Sequence, residues 1–188
     1  MRVRYWIKKK LGIIKPYPSA TSKVRYLVEQ YCVGKGCDVG FGGDKIMKHN
    51  CDGIDYAQPY AYTGKDKVDI PCNVGKEPIP VPANTYDYVY SSHLIEDFED
   101  TTAILEDFVR IIKSDGTLIL VFPDQPVYEE FCKTDNQPEN LSHVHKDMGL
   151  DFMLKRFDEV KNTSFDILYT SNCDIDYNVI IVAKVHKQ

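Results

Sequence analysis

Three stretches of the sequence place chemically able side chains at useful spacings. The first is Gly36-Cys37-Asp38-Val39-Gly40-Phe41-Gly42-Gly43-Asp44, with a further acid, Asp55, 17 residues after Asp38. Glycines in such a turn let the backbone approach a ligand and leave amides free to donate. An acid at the end of the next strand can then accept both hydroxyls of a ribose. The second is His93 with Glu96, following Tyr86-Asp87-Tyr88-Val89-Tyr90-Ser91-Ser92. The third is Asn140-Leu141-Ser142-His143-Val144-His145-Lys146-Asp147, downstream of Pro123-Asp124. A neutral imidazole there suits general-base work near pH 7.

Two phosphate-cradling patterns fail on inspection. The dinucleotide fingerprint G-x-G-x-x-G, started at Gly40 and Gly42, needs glycine where Lys45 stands. A Walker loop ending at Gly64-Lys65 has Pro59 in place of its leading glycine and Asp66 where Ser or Thr belongs. Six cysteines (Cys32, Cys37, Cys51, Cys72, Cys132, Cys173) form no C-x-x-C pair, and Lys8, Lys9 and Lys10 interrupt any apolar leader, so reduced cytoplasmic thiols are expected. His49 and His186 have no acidic or cysteine companion at ligand spacing and read as surface residues. No metal site is expected, because a closed zinc site wants four well-spaced ligands.

The elements that must hold these residues follow from hydrophobic period. Val24, Leu27, Val28 and Tyr31 mark one face of a helix with Ser22 as candidate N-cap and Gly34 as candidate stop. Short strands are read at residues 37–40, 53–56, 67–70 and 86–90. Ile104, Leu105, Phe108, Ile111 and Ile112 predict a helix over 101–113, stopped by Ser114-Asp115-Gly116 before the strand 117–122. A helix near 150–157 and two strands, 164–169 and 178–185, joined around 172–176, complete the chain. Residues 123–149 read as a long, weakly periodic loop over the ligand face. Alternating strands and helices imply an α/β fold, a mostly parallel sheet covered on both faces, with an antiparallel hairpin at one edge.

Composition bounds the class. With 188 residues, 43% of them hydrophobic, the chain reads as one globular domain. Net charge is −5, yet residues 1–35 hold nine Lys/Arg against Glu29 alone. A basic arm (about 1–18) on an acidic body excludes a domain-wide nucleic-acid surface. Its Trp6, Ile7, Leu11 and Ile14 beside Lys8–Lys10 suit either packing on its own domain or a weak membrane-surface contact.

Residues 20–125 resemble the class I S-adenosylmethionine-dependent methyltransferases, and the rest does so more loosely. The resemblance implies a Rossmann-like sheet of seven strands, with S-adenosylmethionine as cofactor. It implies that Asp38, Gly40, Phe41 and Gly42 lie near the methionine end of the cofactor. Asp55 is then the ribose acid and Tyr56 sits by the adenine. Asp69-Ile70 is similar to the acid and apolar pair that meets the adenine ring, and Ser91 and His93 lie near the cofactor without a chemical role. The family's His-x-x-Glu-His keeps His93 and Glu96 but has Asp97 for the second histidine. Its third motif glycine is Asp44 here, expected to cap a following helix, and its Lys-Pro-Gly-Gly turn reads Lys113-Ser114-Asp115-Gly116.

The Asn-x-x-His-x-His stretch resembles that of small bacterial methyltransferases associated with surface sugars, implying a small-molecule acceptor, a hydroxyl of a sugar or glycan precursor. His143 is then the expected base, Asp124 its orienter or an acceptor ligand, and His145 the alternate. Loop closure by His143, or a metal on His-x-His with Asp124 or Cys132, are the competing readings. A non-catalytic scaffold, a nitrogen methyltransferase and a nicotinamide oxidoreductase are the rival functions; Lys45 disfavours the last.

Overall fold

A computed structural model describes residues 18–58 and 64–188. The basic arm lies, apart from Pro18, outside the described residues. In chain order the elements are α1 (Ala20–Val28), β1 (Gly36–Val39), β2 (Cys51–Asp55), β3 (Ile70–Pro71), β4 (Tyr86–Ser92), α2 (Thr101–Ile111), β5 (Ile112–Pro123), α3 (Gln125–Thr134), α4 (Leu150–Glu159), β6 (Thr163–Ile175) and β7 (Asn178–Lys187).

The strands form one seven-stranded sheet in the order β3-β2-β1-β4-β5-β7-β6. β3 through β5 run parallel, whereas β7 pairs antiparallel with both β5 and β6. The expected antiparallel C-terminal hairpin is present, with β6 at the edge. The strand order reverses between β1 and β4, and such a switch opens a crevice at the strands' C-terminal ends.

The two faces bury different helices. Ile104, Leu105 and Phe108 of α2, with Met153 and Phe157 of α4, pack on Val39, Ile54, Val89 and Leu120. Val24 and Val28 of α1 cover Tyr88, Tyr90, Ile119 and Val121 on the other face. Each such fully buried side chain contributes roughly 1.5–3 kcal/mol over its exposed state. Gly36 lets the sheet close over Tyr88: a Cβ there would fall 2.2 Å from the ring.

Three expectations change. The helix begins at Ala20, because Ser19 rather than Ser22 is the N-cap and accepts the Ser22 amide. No helix follows the glycine turn, so Asp44 caps none; it accepts from Ser19, from Arg25 at 2.8 Å and from Lys48 at 3.1 Å, tying the turn to α1. The expected loop 123–149 contains α3, capped by Asp124, whose side chain accepts the Val127 amide, with Pro126 in its first turn where a missing N–H costs nothing.

Candidate active site

A cavity of about 540 Å³ opens at the C-terminal ends of the central strands. Its floor is the glycine turn after β1. Gly40 and Gly42 have φ of 74° and 54°, in the left-handed region that glycine enters without strain. Gly40, Phe41 and Gly42 all line it.

Asp55 and Tyr56, at the end of β2, form the next wall. The Asp55 carboxylate accepts the Gly42 amide at 3.0 Å and the Tyr56 amide at 2.7 Å. Burial raises its pKa, against the two amides. A polarised carboxylate of this kind is fixed in place with lone pairs left to accept from a diol.

Asp38 is fully buried below the floor and does not line the cavity. One carboxylate oxygen accepts the Ile46 amide at 2.7 Å, and the other has no hydrogen-bond partner among the described residues. Burial holds its pKa well above the usual range. Ser91 likewise works between strands: its hydroxyl donates to the Val39 carbonyl at 2.9 Å, and Ser92 lines the cavity instead.

Asp69 and Ile70 lie away from the cavity. Asp69 accepts from Lys45 at 2.8 Å and from the Gly53 amide at 2.7 Å. β3 then carries the chain forward, so Asn73, Val74, Gly75 and Lys76 form the third wall. The Asn73 amide oxygen is buried without a hydrogen-bond partner among the described residues. The N-terminal turn of α1 (Ser19 to Thr21) faces them, with Leu94, Asp97 and Phe98 between.

His93 lines the cavity at the end of β4 with φ +52°, a conformation non-glycine residues seldom adopt. Its Nε2 is 2.7 Å from Asn178 Oδ1 and its Nδ1 is 3.3 Å from Glu96 Oε1. Burial would lower its pKa, but Glu96 and Asn178 raise it above the ordinary value.

His143 sits behind this wall, its side chain 3% exposed. Its Nδ1 is 2.8 Å from Gln125 Oε1 and its Nε2 3.7 Å from Glu96 Oε1. Burial lowers its pKa, with Glu96 opposing. The residue that orients it is therefore Gln125, not Asp124, because Asp124 turns its carboxylate onto the Val127 amide of α3. His145 holds the Phe98 carbonyl at 2.8 Å and the Thr101 hydroxyl at 3.0 Å, outside the cavity lining. Of the histidine loop, Ser142 reaches the cavity.

His186, read as solitary, lies between Asp115 at 2.8 Å and Asp166 at 2.9 Å. The Asp115 and Asp166 partners come from β5 and β6, far apart in sequence, so spacing carried no sign of them.

Residues 36–120, somewhat under half of the chain, match the family described as the methyltransferase domain. A stretch of 73 residues is 29% identical to the uncharacterised methyltransferase YcgJ of Bacillus subtilis, and it spans 29% of that protein's length. The solved structure of YcgJ superposes with a TM-score of 0.59 at 14% identity, over 88% of this chain and 98% of that one. A S-adenosylmethionine-dependent methyltransferase of Archaeoglobus fulgidus superposes at 0.65 and 10% identity, over 96% and 99% of the two chains. One from Mesorhizobium loti reaches 0.58 at 12% identity, over 81% and 92%. The fold is thus the Rossmann-like fold of class I methyltransferases.

Proposed function

We propose, from a chain whose residues 36–120 match the methyltransferase domain and build the cavity, that this protein is a S-adenosylmethionine-dependent methyltransferase acting on a small-molecule hydroxyl. The observation that carries the reading is the meeting of Asp55, the glycine turn and Asn73 in one cavity.

The donor set fits the cofactor. Asp55 would take the ribose hydroxyls, and the Asn73 oxygen, without a hydrogen-bond partner among the described residues, could accept from an adenine amino group. Val74, Leu94 and Phe98 supply apolar walls for a base. The first turn of α1 favours a negatively charged group, which suits the carboxylate of the methionine end. When bound, S-adenosylmethionine supplies an electrophilic methyl group on a sulfonium.

The acceptor is read as a hydroxyl of a sugar or glycan precursor. Polar wall residues Ser92, Asp97 and Ser142 support it, as does the resemblance of the Asn140–His145 stretch. The chain's own contribution is alignment of the acceptor, which supplies much of the rate in an in-line displacement, and removal of its proton. His143, too enclosed to touch an acceptor as it stands, would act through Glu96.

Calorimetric titration with S-adenosylmethionine and S-adenosylhomocysteine tests the cofactor. Micromolar binding is expected, weakened roughly ten- to hundredfold in Asp55→Ala, since hydrogen bonds to a charged group contribute about 1.5–3 kcal/mol. Binding of NADH in place of both would overturn the reading, and no adenosyl binding at all would favour a scaffold.

A further inference from the structure

Two side-chain amides determine where two histidine protons sit. Asn178 Nδ2 donates to the Ile175 carbonyl at 2.8 Å, so its oxygen faces His93 and the His93 Nε2 must carry a hydrogen. Gln125 Nε2 donates to Glu129 at 3.0 Å, so its oxygen faces His143 and the His143 Nδ1 must carry one. Glu129 in turn accepts from Lys146 at 3.0 Å, which keeps it an acceptor.

That leaves His93 Nδ1 and His143 Nε2, and both lie nearest the same acidic atom, Glu96 Oε1, at 3.3 and 3.7 Å, as ion-pair neighbours and not as hydrogen-bond partners. Glu96 is 1% exposed, and neither of its carboxylate oxygens has a hydrogen-bond partner among the described residues. A bare carboxylate buried so deeply is costly. One proton distributed over the three groups leaves the cluster neutral. Only one member opens outward: the His93 side chain is 23% exposed and lines the cavity, against 3% for His143.

Resting on the reading above, we propose that His93, Glu96 and His143 share one proton, forming a buried relay that opens on the cavity at His93 and is placed to take the proton a hydroxyl acceptor loses. With the shared proton on the Glu96–His143 side, His93 Nδ1 presents a lone pair. In the transfer, an O–CH₃ bond forms while the S–CH₃ bond breaks and its electron pair stays on sulfur; the hydroxyl proton passes to His93 Nδ1. One positive charge disappears at sulfur as one appears in the relay, so the site's net charge is unchanged through the step. Glu96 and His143 are positioning residues in this scheme, and His93 is the base.

Other charges bear on the cluster. Lys23 acts on His93, and Lys146 with His93 acts on His143, all disfavouring the cationic forms. Tyr177 meets the His93 ring edge-on at 5.8 Å and Tyr128 meets His143 at 4.8 Å, both as neutral phenols whose ionisation burial suppresses. Asp97, next to Glu96, lines the cavity on the same side.

Histidine-labelled protein followed by NMR from pH 5 to 9 reads the relay directly. In the full-length chain the two rings should titrate together, each curve registering the other's protonation. Glu96→Gln, equal in size, should give two independent curves with the His93 midpoint moved down, and Glu96→Asp should restore part of the coupling. Adding S-adenosylhomocysteine should shift the His93 signals and, through Glu96, those of His143, the second response vanishing in Glu96→Gln. Identical His93 curves in wild type and a folded Glu96→Gln would overturn the proposal. Should Glu96→Gln not fold, His143→Phe decides it: His93 must then titrate alone at a changed pH, and an unchanged curve sinks the relay. Calorimetry on the same samples separates the two claims, since absent adenosyl binding counts against the cofactor reading while the pH arm still judges the shared proton.

Discussion

At the scale of single residues, Asp38 illustrates how a motif acid can serve the site from below. It is fully buried, with one oxygen on the Ile46 amide and the other without a hydrogen-bond partner among the described residues. A carboxyl whose folded pKa is raised adds stability below its unfolded value and loses it as pH rises through the folded one. Asp38→Asn keeps the acceptor and removes the charge. It is expected to hold or raise the melting temperature at pH 8 and to flatten its pH dependence above pH 4. Asp38→Ala strands the Ile46 amide and should cost about 1–3 kcal/mol. Calorimetric melting of both at pH 6 and 8 checks this, and equal losses in the two would show that the carboxylate's charge, and not the hydrogen bond, is decisive.

Single residues also mark where sequence reading stopped. Asp55, Tyr56 and the Gly40–Gly42 turn stand in the cavity wall because their signal is local, an acid or a glycine at a strand end. Asp69 has the same local signal, but β3 begins only at Ile70 and Lys45 claims the carboxylate. Asn73 was silent because its role depends on where a two-residue strand ends. Gln125 was silent because its partner, His143, is 18 residues away across a helix.

Among elements, helix caps give the cleanest separations. Asp124→Ala removes the N-cap of α3 and is expected to cost about 0.5–2 kcal/mol, while leaving the His143 titration unchanged, because Gln125 makes that contact. Denaturant melts alongside the NMR curves test both halves. Ser19→Ala should lower stability by about 1 kcal/mol and also weaken S-adenosylhomocysteine binding, since Ser19 joins α1 to Asp44 and lines the cavity. Unaltered calorimetric affinity would remove α1 from the binding wall. The α3 helix itself escaped the sequence pattern because only Tyr128 and Cys132 form its buried apolar stripe. α2, with six buried positions, did not.

The strands at the far edge make a third case. His186 on β7 bridges Asp115 of β5 and Asp166 of β6, and the Asp166 bond first, then Asp115, raises its pKa. A raised histidine contributes stability below its unfolded value, near 6.5, and loses it as pH climbs through the folded value. Amide exchange in β6 and the end of β7 is therefore expected to quicken, relative to the central strands, between pH 6 and 8.5, and His186→Phe should abolish that difference. The His186 side chain lies at the surface, 34% exposed, so the effect is confined to the hairpin.

On the scale of the whole molecule, the mostly parallel sheet and its antiparallel edge follow from alternation of strand and helix, which is why the fold class was legible in the sequence. What alternation does not convey is an omitted helix. Between β1 and β2 the chain uses residues 40–50 without one, and ionic contacts do the anchoring: Asp44 with Arg25 and Lys48, Asp66 with Lys48, and Asp69 with Lys45. Burial would raise the pKa of each of these acids, but their partners hold all three down. Their stabilisation is present above the unfolded value, about 3.9, and fades as pH falls through the lower folded values.

In dinucleotide enzymes the glycine turn hands the pyrophosphate to the positive end of the very next helix. Here no such helix exists, and Asp55 and Asp66 stand around the turn. The architecture thus lacks, at this point, the helix terminus with which dinucleotide folds hold a phosphate, and a ligand without phosphates is the kind that loses nothing by its absence.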